Sequence, residues 1–537
     1  MTSAEIRYER HFGDRLVRCF ADRLGDSYET LERAAAVRAD ADAIVFAGRR
    51  LSYRELVDEV ARVATGLASL GLRHGDRLVL LCGNNPEFIL LLYAAFRIGA
   101  IVVPVDIRLR GAEIAYIATN CQASLIAYEK RVAAEVADTA ALPAGCQTLA
   151  IPGDGEGRLF EMILEGRELD RSRPDSEEDP ALIVFTSGTT GRPKGAVLTH
   201  LNIEHSCQHF HRNIGITAAD RIGVVTPITH VTGLIMGVIG ALHAGAAVLL
   251  LDSFRASTFI EMAARERMTQ TVMVPAMYSL CLLDDGFHGA DLSQWRVGNY
   301  GGAPMPEGLI MALAEKLPHL QLVNGYGATE TCSPATMLRP GEGVGQAASV
   351  GRPLHCVDIL VMDEHGRELP TGEAGEIWIA GPMVSPGYWR DPEATAKGFV
   401  GGYWRSGDIG SIDVEGYLRV HDRIKDVVNR GGYKIYSAEV ESVLSRFAGV
   451  VEAAVVGRPS PVLGERVHAF VSVASASVTA DMLRAFCAGL LADYKVPESF
   501  TVTTDRLPRS ANGKLQKREL RDIAQGLPPL EPLRRSG

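Results

Sequence analysis

The sequence predicts an α/β protein. A large N-terminal domain of α/β layered sheets carries an antiparallel β subdomain, and a small α+β C-terminal domain follows. Three observations predict this. Helix and strand patterns alternate between residues 30 and 100 and again after residue 180, the rhythm of a parallel sheet covered by helices. From about residue 350, glycine and proline become frequent and the strands shorten, at 358–362, 375–380 and 417–420. After Gly431-Gly432 the order helix, strand, strand, helix (437–447, 451–457, 467–473, 479–491) reads as a compact α+β unit. A chain of 537 residues is too long for one ordinary core. The domains are drawn at 1–424, with the β subdomain at about 350–424, and 425–537.

In chain order, Ser52 with Glu55 three residues on forms a capping box that opens an amphipathic helix. A strand at 77–81 is followed by Asn84-Asn85-Pro86, which starts the apolar helix 87–98, and Gly99 ends it. A strand at 100–104 completes a βαβ unit. The apolar strand 181–185 runs into Thr186-Ser187-Gly188-Thr189-Thr190-Gly191-Arg192-Pro193-Lys194-Gly195. Strand 195–198, helix 199–210 and strands 220–225 and 271–274 follow. A strand from Val297 ends in Gly301-Gly302-Ala303-Pro304, and strand 320–324 ends in Gly325-Tyr326-Gly327-Ala328-Thr329-Glu330. Strand ends rich in small and polar residues are expected where an α/β sheet binds its ligand at the carboxyl edge.

The apolar, uncharged run 234–251 is long enough to resemble a membrane span. Gly237, Gly240, His243 and Gly245 interrupt it, so it reads as a buried helix, a turn and a strand at 246–251. The net charge of −10 argues against a nucleic-acid binder and a basic membrane-surface protein. Nine cysteines without a C-x-x-C pair read as reduced thiols of a cytoplasmic protein. Residues 1–26 lack the apolar core of a signal peptide, and Arg534-Arg535-Ser536-Gly537 is not a peroxisomal address.

The loop at Thr186 is the first candidate site. Small residues let backbone N–H groups approach an anion, hydroxyls add donors, and Lys194 adds charge, which suggests a polyphosphate cradle. Gly195 after Lys194 and the glycine spacing exclude a Walker A loop. Taken alone, the stretch also has the composition of a flexible surface loop. His205, His209 and His211 cluster on a helical segment, but no acidic partner or His-Glu-x-x-His pattern accompanies them, which disfavours a metal site.

Six separated motifs carry a resemblance: the Thr186–Gly195 loop, Pro227-Ile228-Thr229-His230, Tyr326-Gly327-Ala328-Thr329-Glu330, Tyr403-Trp404-Arg405-Ser406-Gly407-Asp408, Asp422-Arg423-Ile424-Lys425-Asp426, and Pro508-Arg509-Ser510-Ala511-Asn512-Gly513-Lys514. Over roughly residues 30–520 the chain resembles the adenylate-forming superfamily of acyl-CoA synthetases, luciferases and peptide-synthetase adenylation domains. It is most like an AMP-forming acyl-CoA ligase. The resemblance implies ATP, Mg²⁺ and coenzyme A as co-substrates and cofactor, and a carboxylic acid activated as acyl-AMP before transfer to the thiol.

The same resemblance assigns residues. Thr186, Ser187, Gly188, Thr189, Thr190, Gly191 and Lys194 would hold the terminal phosphates. Gly302, Ala303 and Pro304, with Asn324, Gly325, Tyr326 and Gly327, would enclose adenine. Thr329 would donate to the α-phosphate and Glu330 would hold Mg²⁺. Asp408 would accept the ribose hydroxyls, with Arg423 beside the ribose or phosphate. Lys514 would meet the reacting carboxylate and α-phosphate. Without the resemblance it would read as one exposed lysine among several, such as Lys495 and Lys517. Lys425 would be the hinge of a mobile C-terminal domain. Gly431, Gly432, Tyr433 and Lys434 would line the pantetheine tunnel, and Lys434, Arg458, Tyr494 and Lys495 would meet the CoA nucleotide.

The acid would sit against His230, Val231, Thr232, Gly233, Ile235, Met236, Tyr300, Gly301 and segments 274–280 and 331–335. No Lys or Arg among them would receive a second carboxylate, so a hydrophobic monocarboxylate is expected, with medium-chain aliphatic and aromatic acids equally open. Pro508-Arg509 stands where the family has Pro-Lys. The 510–514 loop also resembles a site of reversible lysine acetylation, so a lysine acetyltransferase acting on Lys514 joins a homodimer as a candidate partner. Alternatives are an enzyme that loads a separate carrier protein, a luciferase-like oxidase of the acyl-adenylate, and a non-catalytic binding protein. No fused carrier motif Gly-x-Asp-Ser-Leu is visible.

Overall fold

The computed structural model describes residues 5–137, 142–151, 171–186, 192–343, 345–509 and 515–527. Local signals set many of its boundaries. Ser52 accepts from the backbone of Glu55 and the Glu55 carboxylate accepts from Ser52 N at 2.7 Å, closing the capping box of helix Tyr53–Ser69. Asn85 accepts from Phe88 N at 2.9 Å to cap helix Pro86–Ile98, whose first position is proline. Gly99, at φ +72°, turns the chain out of that helix.

Two sheets form the large layered region. The first has the order Lys194–Thr199, Pro180–Thr186, Ile101–Pro104, Arg77–Leu81, Leu125–Glu129, Gln147–Ile151. Its strands are parallel except for the first pair, an antiparallel hairpin. The second has nine strands, and its six central members are parallel: Gln321–Ala328, Val297–Gly301, Gln270–Met273, Arg221–Val224, Ala247–Leu250 and Asp42–Phe46. Antiparallel strands flank them, Ser333–Met337 and Arg352–Pro353 at one edge and Arg49–Ser52 at the other. Helices cover the parallel strands, which is why these strands read as short apolar runs without alternation.

The membrane-like run is buried inside this layer. It forms a π-helix, Thr232–Gly240, a short helix Ala241–His243, a turn at Gly245 and the strand Ala247–Leu250. Among the described residues no helix is long and apolar enough to cross a membrane. The expected helix is therefore present, but wound more widely than an α-helix, a geometry concentrated at functional sites.

Helix His200–Ile214 is capped by Thr199 and is buried over its first eleven residues. His205 donates from Nδ1 to Leu201 O (3.0 Å) and accepts at Nε2 from Phe20 N (3.2 Å). His209 donates to His355 O (2.8 Å), and His211 to Gly240 O (3.1 Å). The rings of His205 and His209 pack on Phe20. These contacts give all three histidines a role in the core. Phe20 belongs to an N-terminal hairpin, Ile6–His11 with Arg15–Phe20, that sequence reasoning passed over because its outward face is charged. All nine cysteines are free.

Residues 358–423 contribute a five-stranded sheet with the strands Asp358–Met362, Gly375–Ala380, Tyr403–Ile412, Phe399–Val400 and Leu418–Arg423. A further sheet, ordered Tyr433–Ile435, Val428–Arg430, Gly464–Val473, Val450–Ser460, with Ser499–Thr503 beside Gly464–Val473, packs on helices Ser437–Ser445 and Ala480–Ala488. Gly431 (φ +57°) and Gly432 (φ +92°) make its two-residue hairpin turn. By compactness the chain forms two units: residues 1–360, 378–405 and 414–418, and residues 361–377, 406–413 and 419–537. The 424/425 break drawn from sequence falls inside the second.

Burial holds His205 down to about 4 and His209 to about 3. An unfolded histidine protonates near pH 6.5, so both stabilise the fold fully above that pH and progressively less as pH falls toward 4. The loss is on the order of 1.4 kcal/mol per pH unit for each. The urea midpoint is expected to drop between pH 7 and pH 5, and to drop more shallowly in His209→Gln. Equal slopes in the two proteins would contradict the burial argument.

Candidate active site

The parallel strands of the nine-stranded sheet end in close-packed glycine turns. Gly301 pairs with Gly325 across neighbouring strands, and a Cβ on Gly301 would lie 2.6 Å from Gly325 O. A Cβ on Gly327 would lie 2.0 Å from Ser333 O. The absent side chains let the chain fold back sharply from Gln321–Ala328 into Ser333–Met337. Between them lies the 3₁₀ turn Thr329–Thr331, then Cys332 (φ +49°) and Ser333 (φ +90°), two successive left-handed residues that are not glycine. Such backbone costs about 1–3 kcal/mol per residue and gathers at functional sites. Thr331 braces it: its hydroxyl accepts from Ala328 N (2.9 Å) and donates to Ser333 O (2.7 Å). Asn324 is fixed by donating to Ser349 O at 3.0 Å.

Glu330 is carried on this braced turn and is buried. Tyr388 Oη donates to its Oε1 at 2.8 Å. The Tyr388 ring lies 5.2 Å from Lys194 Nζ, a cation–π contact. Thr186 sits opposite Lys194 across the antiparallel hairpin. Ser187, Gly188, Thr189, Thr190 and Gly191 lie outside the described residues. The backbone joins the same pieces: Ser385 N donates to Glu330 O (2.8 Å), Val197 N to Gly387 O (3.0 Å) and Trp389 N to Gly195 O (2.7 Å). Segment 385–389 thereby stitches the hairpin of Lys194 to the turn of Glu330. Tyr388 was missed from sequence, because an aromatic pair after Pro386-Gly387 reads locally as core. A buried carboxylate linked through one tyrosine to a lysine ammonium suits a hard divalent cation with anionic oxygens around it.

On the other side of the site, His230 follows the turn in which its N–H donates to Pro227 O at 3.2 Å. A Cβ on Gly233 would lie 2.5 Å from that same carbonyl, so glycine lets the π-helix start against the turn. His230 Nε2 lies 3.7 Å from the carboxylate of Asp106. Arg108 grips Asp106 through Nε (2.9 Å) and Nη2 (2.5 Å). Burial alone would raise the Asp106 carboxyl, but the hydrogen bonds from Arg108 hold it well below the usual range. Asp106 and Arg108 follow the strand Ile101–Pro104 of the other sheet, and no local spacing tied them to His230.

Val231, Ile235 and Met236 are buried along the π-helix, and Thr232 opens it. Buried hydroxyls of Thr226 and Thr229 have no hydrogen-bond partner among the described residues. Tyr300 packs into the core cluster of Tyr278 and Trp295, and burial pushes its hydroxyl up to about 12. Gly302, at φ +75°, turns the chain after Tyr300-Gly301 toward Ala303 and Pro304.

The second unit holds its own candidates. Asp408 is buried, with Arg423 Nε 3.4 Å from its Oδ1. Lys425 lies in the turn Ile424–Asp426; its carbonyl accepts from Arg521 at 3.0 Å, and burial draws its ammonium below the ordinary value. After the Gly431-Gly432 turn, Tyr433 stacks on Tyr494 at 4.6 Å, and Lys434 follows on the outgoing strand. Lys495 pairs with Glu439 (2.7 Å) and Lys517 with Glu441 (2.6 Å), so both neighbours of Lys514 in local character are tied down. Arg458 donates to Leu527 O at 2.7 Å. Lys514 lies outside the described residues. The ends of its segment are joined by a bridge between Arg509 and Leu515 and by Gln516 N to Pro508 O (2.9 Å).

Comparison with known proteins gives the family. The AMP-binding enzyme family matches residues 31–389, and the AMP-binding enzyme C-terminal domain matches residues 439–514. A feruloyl-CoA synthase of Amycolatopsis sp is 36% identical over 490 residues, covering 91% of this chain and 97% of that protein. An indoleacetate–CoA ligase of Aromatoleum aromaticum is 34% identical, covering 92% and 97%. The crystal structure of the anthranilate CoA ligase AuaEII in complex with anthranoyl-AMP superposes with a TM-score of 0.85 at 25% identity, covering 93% and 97%.

The glycine turn before Glu330 makes one expectation sharp. Gly327→Ala drives a Cβ into backbone and should lower the thermal unfolding midpoint by several degrees. Gly325→Ala, whose Cβ would make only ordinary contacts, with Met337 at 3.6 Å and Thr336 O at 3.9 Å, should leave it nearly unchanged. Indistinguishable melting of the two variants would show that the turn relaxes freely.

Proposed function

The chain belongs to the AMP-binding enzyme family and is an AMP-forming CoA ligase; from that premise we propose that it activates a hydrophobic monocarboxylic acid, aromatic or fatty, in two steps. The acid oxygen bonds to the α-phosphorus of ATP as the bond to pyrophosphate breaks. The sulfur of CoA then bonds to the acyl carbon, the thiol proton is lost, and AMP leaves. The observation that carries the reading is the linked set Lys194–Tyr388–Glu330 at the carboxyl edge of a parallel sheet.

The first step brings one anion onto another, so it needs neutralised charge and in-line positioning more than proton transfer. Lys194 and the Thr186 loop hold the leaving phosphates. Glu330 would hold Mg²⁺, which when bound would supply positive charge to the phosphate oxygens. Thr329 donates to the α-phosphate, and the Tyr326 ring stacks on adenine against Gly302-Ala303-Pro304. Asp408 accepts the ribose hydroxyls, and Lys514 supplies the cation of the adenylation half-reaction. Lys425 changes its backbone angles between the half-reactions, and Gly431-Gly432 leaves room for the pantetheine chain beside Tyr433 and Lys434.

On the acid side, Val231, Ile235 and Met236 supply buried apolar surface, and Arg108 is already paired with Asp106, the carboxylate that faces His230. This supports an apolar acid body with one carboxylate. Ferulate, indoleacetate and anthranilate, named for three of the similar proteins, each carry a single carboxylate and an aromatic ring, whereas 2-succinylbenzoate, named for another, carries two carboxylates.

Pyrophosphate exchange driven by an acid panel, followed by AMP release with and without CoA, tests the reading. Exchange with hydrophobic monocarboxylates and CoA-dependent AMP release are expected. Exchange without CoA dependence would move the acceptor to a carrier protein. Lys514→Ala should lose exchange by a factor of roughly 10² or more while still forming thioester from supplied acyl-adenylate. Equal loss in both half-reactions would remove Lys514 from its assigned step.

A further inference from the structure

We propose that Tyr388 is a positioning residue with two separable duties: its hydroxyl orients the Glu330 carboxylate for the metal, and its ring seats the Lys194 ammonium. The proposal rests on the reading of Glu330 as a metal ligand. A glutamate carboxylate turns broadly about its last torsion, so a ligand oxygen needs an outer partner to fix its plane. Tyr388 Oη supplies one to Oε1 at 2.8 Å.

The tyrosine is itself held on every side. Its backbone N–H donates to Thr395 Oγ1 at 2.9 Å. Its backbone bridges to Ala196, two residues after Lys194. The Phe399 ring meets it edge-on at 5.5 Å. Just before it, a Cβ on Gly387 would lie 2.5 Å from the Thr395 methyl, so the approach of this segment is closed to larger residues. A residue anchored this firmly transmits position. It links the cation of the phosphate loop to the carboxylate of the metal turn, 58 positions apart in sequence on the carboxylate side.

The duties come apart by substitution. Tyr388→Phe keeps the ring under Lys194 and removes only the hydroxyl, whereas Tyr388→Leu removes both. The probe is Mn²⁺, followed by its electron spin resonance signal in the presence of ATP with the full chain. ATP binding without metal is followed by calorimetry. Tyr388→Phe is expected to weaken Mn²⁺ by roughly 10–100-fold, the range for outer partners of metal ligands, and to leave metal-free ATP binding near wild type. Tyr388→Leu is expected to weaken both. Tyr388→Phe added to Glu330→Gln should cost nothing further, since the hydroxyl acts through that carboxylate, whereas a structural role would add its own penalty and lower the unfolding midpoint. Should Tyr388→Phe fold poorly, p-aminophenylalanine at 388, which restores a donor, should recover Mn²⁺ affinity. Wild-type Mn²⁺ affinity in Tyr388→Phe with loss in Glu330→Gln overturns the proposal alone. Wild-type affinity in both overturns the reading of Glu330 as well.

Discussion

The hydrogen bond from Tyr388 to Glu330 is the interaction on which the arrangement around Lys194 and Glu330 depends. It joins three segments that lie far apart in the chain: the hairpin of Lys194, the strained turn of Glu330 and the strand-like stretch 385–389. Each segment has a reason to be elsewhere. A buried carboxylate without partners would lose its charge, and an ammonium beside small residues would move into water. Tyr388 touches both, donating to the carboxylate and lying under the ammonium, while Thr331 holds the strained backbone at Cys332 and Ser333.

Space is the second constraint. The sheet edge can gather so many backbone groups because glycine stands where a side chain cannot. Gly301 against Gly325, Gly327 against Ser333 and Gly233 against Pro227 each bring a carbonyl to within 2.6 Å of a Cβ that is not there. These contacts put the ends of neighbouring strands close enough for one nucleotide to touch several of them, the usual arrangement at the carboxyl edge of a parallel sheet. The apolar layer beneath, with Tyr278, Trp295 and Tyr300, keeps that edge from shifting.

What was legible in the sequence follows from range. The Ser52–Glu55 box, the helix start at Asn84-Asn85-Pro86 and the Gly99 stop are settled within four residues of chain and are found in the structure, which makes Asn85 the cap. The fold class followed from periodicity, which is also local. The motifs pointed to Thr186, Glu330, His230 and Asp408 because their residue types carry chemistry. Tyr388 and Asp106 were not legible. Their roles exist only through contacts with Glu330 and His230, made after the chain has folded, and an aromatic beside a tryptophan or an aspartate before an arginine carries no mark of that. The π-helix at Thr232–Gly240 was hidden for a related reason: its apolar run is equally compatible with an α-helix.

The two sides of the site divide by charge, and that division bears on selectivity. On the phosphate side, Lys194 faces an aromatic ring and is available to an anion. On the acid side, Arg108 is committed to Asp106, and Asp106 in turn faces His230. The carboxylate that is to react can meet cationic groups as it approaches the phosphates. A second carboxylate on the same molecule would have to enter the apolar run of Val231, Ile235 and Met236, where an unpaired charge costs several kcal/mol. Asp106 would repel it if it turned toward His230 instead. Under the proposed function, preference for a single carboxylate would arise from a cation already neutralised as much as from the apolar surroundings.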